Sequence, residues 1–541
     1  MTRQKLGITI VVAVTAFASG AWLLQQRAEP VGSVYQQARL FDDVLAHVAD
    51  YYVDSLGEQQ LYQMAIDGLL DRLGDPYSTF LQRDDFRMLS EQTSGNYGGL
   101  GIQIEVRDGW ITVVSPLPDT PAERVGIQSG DRIVGLDGVS TEGWKQDQAV
   151  RELRGPAGTT AELAVRRVGV EQPITFRITR AMIHVRSVQV ATMLDDRVGF
   201  IYLSTVNETS ARELSTAITD LQGQGMKTLI LDLRNNPGGL LDQGIAVSEL
   251  FLDPGQAIVG TRGRTRQSSR SYRDGKPQAW PQLPVVVLAN GYSASAAEII
   301  AGALQDHDRA VLIGTPTFGK GLVQSLFQLT PETALKLTTA RWYTPSGRTI
   351  QRPSASEEEQ VAQVAAAEEG GGRDTSARRA AEVFRTDAGR LVYGGGGIRP
   401  DLFVAADTLT TAERSFARGL GGKYPVFRDV LTSYALELKG SNRLRDAAFP
   451  VTDAMVDEVL RRLQGRGVEI AADLVAGARS LTGQELAYEG TRYGFGRTAE
   501  LRRRMGDDPQ IQQALTLARR ARTPQELLAL AAAEMPAPSR N

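Results

Sequence analysis

The sequence predicts a multidomain α/β protein, on three observations. Between residues 181 and 353, short β-branched runs alternate with amphipathic helical stretches, the pattern of a mixed sheet covered by helices. Residues 95–180 read instead as short alternating strands separated by glycine-rich turns. Both ends of the chain carry helical periodicity. A chain of 541 residues, 42% of them hydrophobic, can build three or four domains with their own cores. A net charge of −3 gives no general pull toward nucleic acid. With no cysteine, disulfides and thiolate chemistry are excluded. The only histidines are His47, His184 and His307, and each reads as structural, which leaves little for a Ser-His-Asp triad.

In chain order, Arg3 and Lys5 precede an apolar run, Leu6–Leu24, close to the ~20 residues of a membrane helix. Ala18-Ser19-Gly20-Ala21 would suit the exit of a cleavable signal peptide, but an uncleaved anchor is favoured. Residues 1–30 are therefore assigned as a signal anchor or signal peptide. The body of the protein is expected in the cell envelope or periplasm, held to the membrane by one N-terminal helix. Residues 34–94 form a helical segment, with Leu40, Val44, Val48, Leu61, Ile66, Leu69 and Leu70 mostly three and four apart.

In 95–180, Tyr97-Gly98-Gly99-Leu100-Gly101-Ile102 leads into strands at 102–106 and 110–114, then PAERVGIQSGDRIVGLDGVS and a helix over Gln146–Leu153. A glycine-rich loop leaves N–H groups free to hold a carboxylate, and the strand after it can pair with an incoming peptide. From 181, a strand at Gly199–Leu203 precedes a capping box, Ser210 to Glu213, with Leu214, Ile218 and Leu221 on the helix's apolar face. The strand Thr228–Leu233 ends in Arg234-Asn235-Asn236-Pro237-Gly238-Gly239-Leu240. Glycines between a strand end and a helix start expose N–H groups, as an oxyanion hole requires.

The most informative stretch is Pro284–Gln324. Val285–Leu288 reads as a buried strand, Asn290 and Gly291 break it, and Ser293-Ala294-Ser295 leads into a helix with Ile299, Ile300, Ala303 and Leu304 on one face. Strand, sharp turn with serine and helix make a nucleophile elbow, its hydroxyl near a helix N-terminus. A strand at Ala310–Ile313 then brings Phe318-Gly319-Lys320-Gly321 beside it. A lysine can serve as the base for serine if burial lowers its pKa from ~10.4 by several units. Beyond lie a strand pair at 325–329 and 335–343, a Glu/Ala/Gly-rich stretch over 354–378 expected to be a disordered insertion, and a helical region over 408–541.

SASAAEIIAGALQD and GTPTFGKGLVQ together resemble the active-site signature of the carboxyl-terminal processing (tail-specific) proteases. The resemblance implies Ser295 as nucleophile, Lys320 as base and Gln324 as a supporting amide. DLRNNPGG matches the same family and implies that Gly238 or Gly239, with Ala296, supplies the oxyanion donors. Ala297 and Thr315 depart from the commonest form, where serine and an acidic residue are usual. GLGI with GIQSGDRIVGLDG resembles a PDZ domain, which implies Gly98, Gly99, Leu100, Gly101 and Ile102 as a carboxylate-binding loop. Leu100, Ile102 and Ile104 would line an apolar pocket beside it. Leu391–Asp401 resembles the closing motif of the protease core.

The resemblance thus implies a crotonase-like mixed α/β peptidase core (181–353 and 379–407) with an inserted PDZ domain (95–180). It implies a serine endopeptidase with a Ser-Lys dyad, no metal or cofactor, and protein substrates with free apolar C-termini as partners. Residues 408–541 carry no recognised chemistry and would serve self-association, adaptor binding or capping of the core. Two other classes compete: an inactive membrane-tethered PDZ scaffold, disfavoured because the catalytic side chains are all present, and a crotonase-like acyl-transfer enzyme, disfavoured by the PDZ segment and export signal.

Overall fold

The computed structural model describes residues 31–107, 109–167, 170–353, 356–369, 382–406 and 409–534. The chain divides into two units, Met1–Phe80 and Leu81–Asn541. In the first, α1 (Val31–Tyr51) and α2 (Glu58–Arg72) are joined by the Tyr62 hydroxyl, which donates to Asp42 at 3.1 Å. Val34, Tyr35, Leu40, Val44 and Tyr51 on α1 are exposed. The membrane run expected at 6–24 lies outside the described residues, and no described helix is long and apolar enough to cross a membrane.

The second unit opens on a helix over Arg83–Ser94, which leads into a two-stranded ribbon. β1 (Asn96–Gly99) pairs antiparallel with a strand over Ala181–His184, so both ends of the intervening segment meet. Within it, β2 (Ile102–Arg107), β3 (Trp110–Pro116), β4 (Arg132–Leu136), β5 (Thr160–Arg166) and β6 (Ile174–Thr179) form a sheet in that order, with α3 over Gln146–Leu153 as the helical spacing predicts. The ribbon's second strand is β7. Ile111, Val113, Ile133, Leu163, Val165 and Ile178 fill this module's own core.

The larger sheet runs β8 (Val188–Met193), β9 (Val198–Leu203), β10 (Thr228–Asp232), then the strands Val285–Ala289, Val311–Gly314 and Leu402–Phe403. Only β8 is antiparallel; the rest are parallel. Parallel neighbours need crossovers, and α4 (Ser210–Gly223) and α5 (Leu241–Glu249) supply two of them. A side sheet is built from β11 (Ala257–Gly263) and β12 (Arg270–Arg273), followed in the chain by β13 (Val285–Ala289), α6 (Ala296–Asp306) and β14 (Val311–Gly314) of the main sheet. It is completed by β15 (Leu322–Thr330) and β16 (Thr333–Tyr343), with β16 between β11 and β15. β17 (Leu402–Phe403) closes the main sheet's edge.

Two expectations change here. Ser210 does not cap α4; Thr209 holds the N-cap position, and the Ser210 hydroxyl donates to Ser187 Oγ at 2.7 Å. Glu213 turns instead to the Thr209 hydroxyl, the Ser187 and Val188 N–H groups and His184. Within 354–378, expected to be unstructured, Glu357–Glu369 is a helix, α7. Gln360 and Val364 on it are buried, and those contacts provide what its composition lacks.

The C-terminal region contributes α8 (Tyr424–Gly440), α9 (Val475–Phe495), α10 (Arg497–Asp507), α11 (Pro509–Arg520) and α12 (Pro524–Glu534). α4, α5 and α6 cover one face of the main sheet, through Leu214, Ile218, Val247, Ile299 and Leu304. Ile511, Ala514, Leu517 and Ala518 of α11 and Leu527 of α12 cover the other, against Ile230, Val286, Leu288, Val311 and Ile313. Burial on both faces explains why these strands are continuous apolar runs.

The helical pair α8–α9 also grips the small sheet. The Tyr493 hydroxyl, 1% exposed, donates to Glu105 on β2 at 2.5 Å, and Arg107 donates to the same carboxylate at 2.9 Å. Lys439 reaches the Ser129 carbonyl at 3.1 Å. Burial pushes the Glu105 carboxyl up, but the Arg107 and Tyr493 hydrogen bonds and the charges of Arg107 and Arg492 outweigh it, so it ends below its usual value. A lowered native pKa means stability that is present above the unfolded value of ~4.3 and lost as pH falls through the native one. Glu105→Gln should therefore be less stable than wild type at pH 7 by about 1–3 kcal/mol, and the gap should close on acidification below about pH 4. Denaturant midpoints of both proteins across that range check it; a gap independent of pH would contradict it.

Candidate active site

β10, β13 and β14 are adjacent and parallel, with Asp232 opposite Leu288 and Ala289 opposite Gly314. Their C-terminal ends therefore align, and the three loops after them, 233–240, 290–295 and 315–321, emerge side by side. The edge beyond the carboxyl ends of parallel strands is where α/β proteins place their ligands.

Ser295 ends the middle loop with φ 53° and ψ −115°, a left-handed conformation that a side-chain-bearing residue adopts only when its surroundings impose it. Helix α6, buried along its whole length, starts at the next residue. Ser293, two residues earlier, is 1% exposed, and its hydroxyl donates to the Leu233 carbonyl at 2.7 Å. It is a fastening of the loop. Asn290 and Asn235 exchange bonds at 2.9 and 3.0 Å, and the Ala294 N–H donates to the Asn236 carbonyl at 2.9 Å. The serine loop and the glycine loop are thereby clasped together.

In the glycine loop the two candidates separate. Gly238 donates its N–H to Asn236 Oδ1 at 2.8 Å, while its carbonyl accepts from Val206 N–H at 2.9 Å. A Cβ on Gly238, whose φ is +87°, would lie 2.5 Å from the Ala294 carbonyl oxygen and 2.7 Å from the Ala296 nitrogen, so only glycine fits there. Among the described residues the Gly239 N–H and the Ala296 N–H have no acceptor. Ala296 opens α6, where no preceding turn offers a carbonyl.

Glu298 joins the third loop to the second. Its carboxylate, wholly buried, accepts from the Ser295 N–H at 2.8 Å, the Lys320 N–H at 3.0 Å, the Gly319 N–H at 2.7 Å and the Thr317 hydroxyl at 2.5 Å. Burial pushes this carboxyl above its usual value despite the four donors pulling the other way. Beyond it, the Lys320 carbonyl accepts from the Trp342 indole at 2.9 Å, so the main chain is held on both sides of the lysine. Gln324 lies on β15, opposite Thr338 on β16 after a bulge, with its amide 3.4 Å from the Thr338 hydroxyl. Sequence reasoning missed Glu298, although a Ser-x-x-Glu spacing in SASAAE is the signal that carries it. At the far end of α6, Asp306 pairs with the buried Arg348 at 2.7 Å.

In the small sheet, β2 is a terminal strand whose outer edge pairs with no strand among the described residues. The loop before it turns its carbonyls inward: Leu100 accepts from Ala122 N–H at 3.0 Å, and Gly101 from Leu117 N–H at 2.8 Å and the Thr120 hydroxyl at 3.1 Å. A Cβ on Gly98 would meet the Gly155 carbonyl oxygen at 2.2 Å, so glycine is needed there for close approach. The Leu100 side chain is 2% exposed and packs in the module's core. Ile102 and Ile104 are half-buried beside that core.

Comparison with known proteins decides the family. Residues 197–359 match Peptidase family S41 and residues 89–166 match the PDZ domain. A carboxy-terminal-processing protease of Bartonella bacilliformis is 42% identical over 323 residues, covering 59% of this chain and 74% of its own. This chain belongs to the carboxy-terminal-processing proteases. The carboxy-terminal processing protease CtpA of Bacillus subtilis is 36% identical over 356 residues, covering 64% of this chain and 73% of that one. Among solved structures, a photosystem II D1 C-terminal processing protease is 26% identical, covers 70% of this chain and 90% of its own, and superposes with a TM-score of 0.36. The protein is accordingly a hydrolase of peptide bonds with a mixed α/β S41 core and a PDZ domain.

In this family member Glu298→Gln tests the carboxylate's role. Glutamine keeps the shape but turns an NH2 toward groups that are themselves donors, leaving buried N–H groups unmatched at about 1–3 kcal/mol. The expected result is a kcat lowered by about one to two orders of magnitude in a folded protein. A folded variant with the parent's kcat would show that the two loops keep their places without the carboxylate.

Proposed function

We propose that the protein cuts substrates with a Ser-Lys dyad and selects them by their C-terminal ends. The observation that carries this reading is the Glu298 carboxylate, which holds the backbone of Ser295 and the backbone of Lys320 to one buried point. Two side chains with complementary chemistry thereby start from a common, rigid origin.

In the proposed sequence Ser295 Oγ attacks the scissile carbonyl carbon while neutral Lys320 takes its proton. The carbonyl oxygen becomes an oxyanion held by the N–H groups of Gly239 and Ala296, since the N–H of Gly238 is engaged by Asn236. As the C–N bond breaks, the Lys320 ammonium returns the proton to the leaving amine, and an acyl-enzyme on Ser295 remains. Water then attacks that ester, with Lys320 again accepting the proton, and Ser295 is regenerated. Gln324 is assigned the positioning of Lys320. Because a lysine serves as base only when deprotonated, activity should rise with pH.

For the PDZ domain, the inward carbonyls of Leu100 and Gly101 support a loop at Gly98–Ile102 whose N–H groups face a substrate's terminal carboxylate. The open edge of β2 would take the peptide as an added strand. Ile102 and Ile104 favour an apolar last residue. Export to the cell envelope on an N-terminal helix over 6–24 remains part of the proposal, on the strength of its hydropathy and flanking charge. Self-association or adaptor binding through 408–541 is proposed only for surfaces left over after that region's packing on the main sheet and PDZ domain.

Ser295→Ala and Lys320→Ala should each abolish cleavage of an unstructured protein, and the double variant should be no worse, because the two act as one unit. Full activity in folded Ser295→Ala would sink the dyad. Amidating a substrate's C-terminus replaces a charged acceptor and should weaken binding by about one to two orders of magnitude. Equal cleavage of free and amidated tails would remove C-terminal selection from the reading while leaving the dyad standing.

A further inference from the structure

Arg234 is the second residue after β10, at the start of the glycine loop, and none of the steps above uses it. Its guanidinium is held on two sides. Asp232 accepts from Nε at 2.9 Å and from Nη2 at 2.7 Å, a grip from within the same strand end. From the opposite side, Nη1 donates to Asp508 Oδ2 at 2.6 Å and Gln510 Oε1 at 2.9 Å. These partners open α11, in the C-terminal region. Burial works against the Arg234 charge, but Asp232 and Asp508 more than offset it and raise its pKa, so the group stays a cation.

Each partner is itself fixed. Asp508 splits its carboxylate: Oδ1 caps α11 by accepting from Gln510 N–H at 2.9 Å and Ile511 N–H at 3.1 Å, while Oδ2 takes Arg234. The Gln510 side chain is completely buried, and its Nε2 donates to the Val404 carbonyl at 2.8 Å, just after β17. The helix they begin is anchored to the second face of the main sheet by Ile511, Ala514 and Leu517. Neither the helix nor the charge of Arg234 requires this second grip. The helix has its apolar face, and Asp232 already neutralises the arginine. What Asp508 and Gln510 add is direction: Asp232 travels with the strand end that carries Arg234, whereas α11 belongs to a different layer. One residue further, Asn235 turns at φ 56° into the segment that ends at Gly239.

We propose that Asp508 and Gln510 are positioning residues for peptide-bond hydrolysis, acting through Arg234 to fix where the glycine loop presents the Gly239 N–H. This rests on the assignment of Gly239 and Ser295 made above. The C-terminal region is then part of the active-site frame, supplied from 274 residues away along the chain.

The test uses the full chain and an unstructured protein substrate, with kcat, KM and thermal midpoint measured for Asp508→Asn, Arg234→Gln, their double variant and Ser295→Ala. Asparagine still caps a helix, so Asp508→Asn removes the negative charge that faces Arg234 without removing the cap. Losing an oxyanion donor outright costs about 10²–10³ in kcat, and a donor displaced but present should cost less, about tenfold. The expected result is that loss in kcat for Asp508→Asn, with KM within about twofold and the thermal midpoint unchanged. The double variant should be no worse than Arg234→Gln alone. A kcat equal to the parent's, a loss that follows the thermal midpoint down, or additive losses in the double variant would each overturn the proposal. Ser295→Ala separates the two layers of inference. If it is inactive while Asp508→Asn is normal, only the positioning role fails; if it is active, the reading of the site itself fails.

Discussion

A carboxylate with no exposure to water and four donors around it is the constraint on which the candidate site depends. Glu298 is costly to bury as an anion, and its donors return part of that cost only while they stay in place. Those donors come from two loops: Ser295 from one, Thr317, Gly319 and Lys320 from the other. Moving either loop strands a buried charge, so the loops are coupled by an energy that neither carries alone. The left-handed backbone of Ser295 becomes intelligible in this light. It is tolerated because the residues on both sides of it are already committed, Ala294 to Asn236 and Glu298 to the lysine loop.

Around that point the architecture is a bench with three layers. The parallel strands set the spacing of the loops, α4, α5 and α6 bury one face, and α11 and α12 bury the other. The same C-terminal chain that completes the sandwich also reaches the rim of the site through Asp508 and holds the PDZ domain through Tyr493. A region without recognised chemistry of its own is thus tied both to the loop after β10 and to the PDZ domain.

Much of this was legible in the sequence where local pattern and tertiary environment agree. Val285–Leu288 and the helix after Ser295 are apolar at the right spacing because both are buried, and Gln146–Leu153 forms a helix over the span its pattern predicts. Pattern failed where a long-range partner overrode it. Glu213 has the spacing of a capping box, yet Ser187, Val188 and His184, from the end of β7 and the start of β8, claim its carboxylate. The stretch containing α7 has a disordered composition, but Gln360 donates to the Phe318 and Gly319 carbonyls and Val364 packs on Ala294 and Phe318. Gly238 and Gly239 are indistinguishable as letters; the Asn236 side chain tells them apart. Nothing local links Arg234 to Asp508.

The PDZ domain is joined to the peptidase core by a ribbon, and a body hung on a ribbon alone could swing. This one is also pinned to the helices α8 and α9 from its strand β2, Glu105 to Tyr493 and Arg107 to Asp429, and from the turn at Ser129, to Lys439. Three separated pins leave a rigid body no freedom of rotation. Any swing of the PDZ domain must therefore either break the half-buried Glu105 contact or carry the helical pair along with it, so the smallest body that can turn as a whole is larger than the PDZ domain itself.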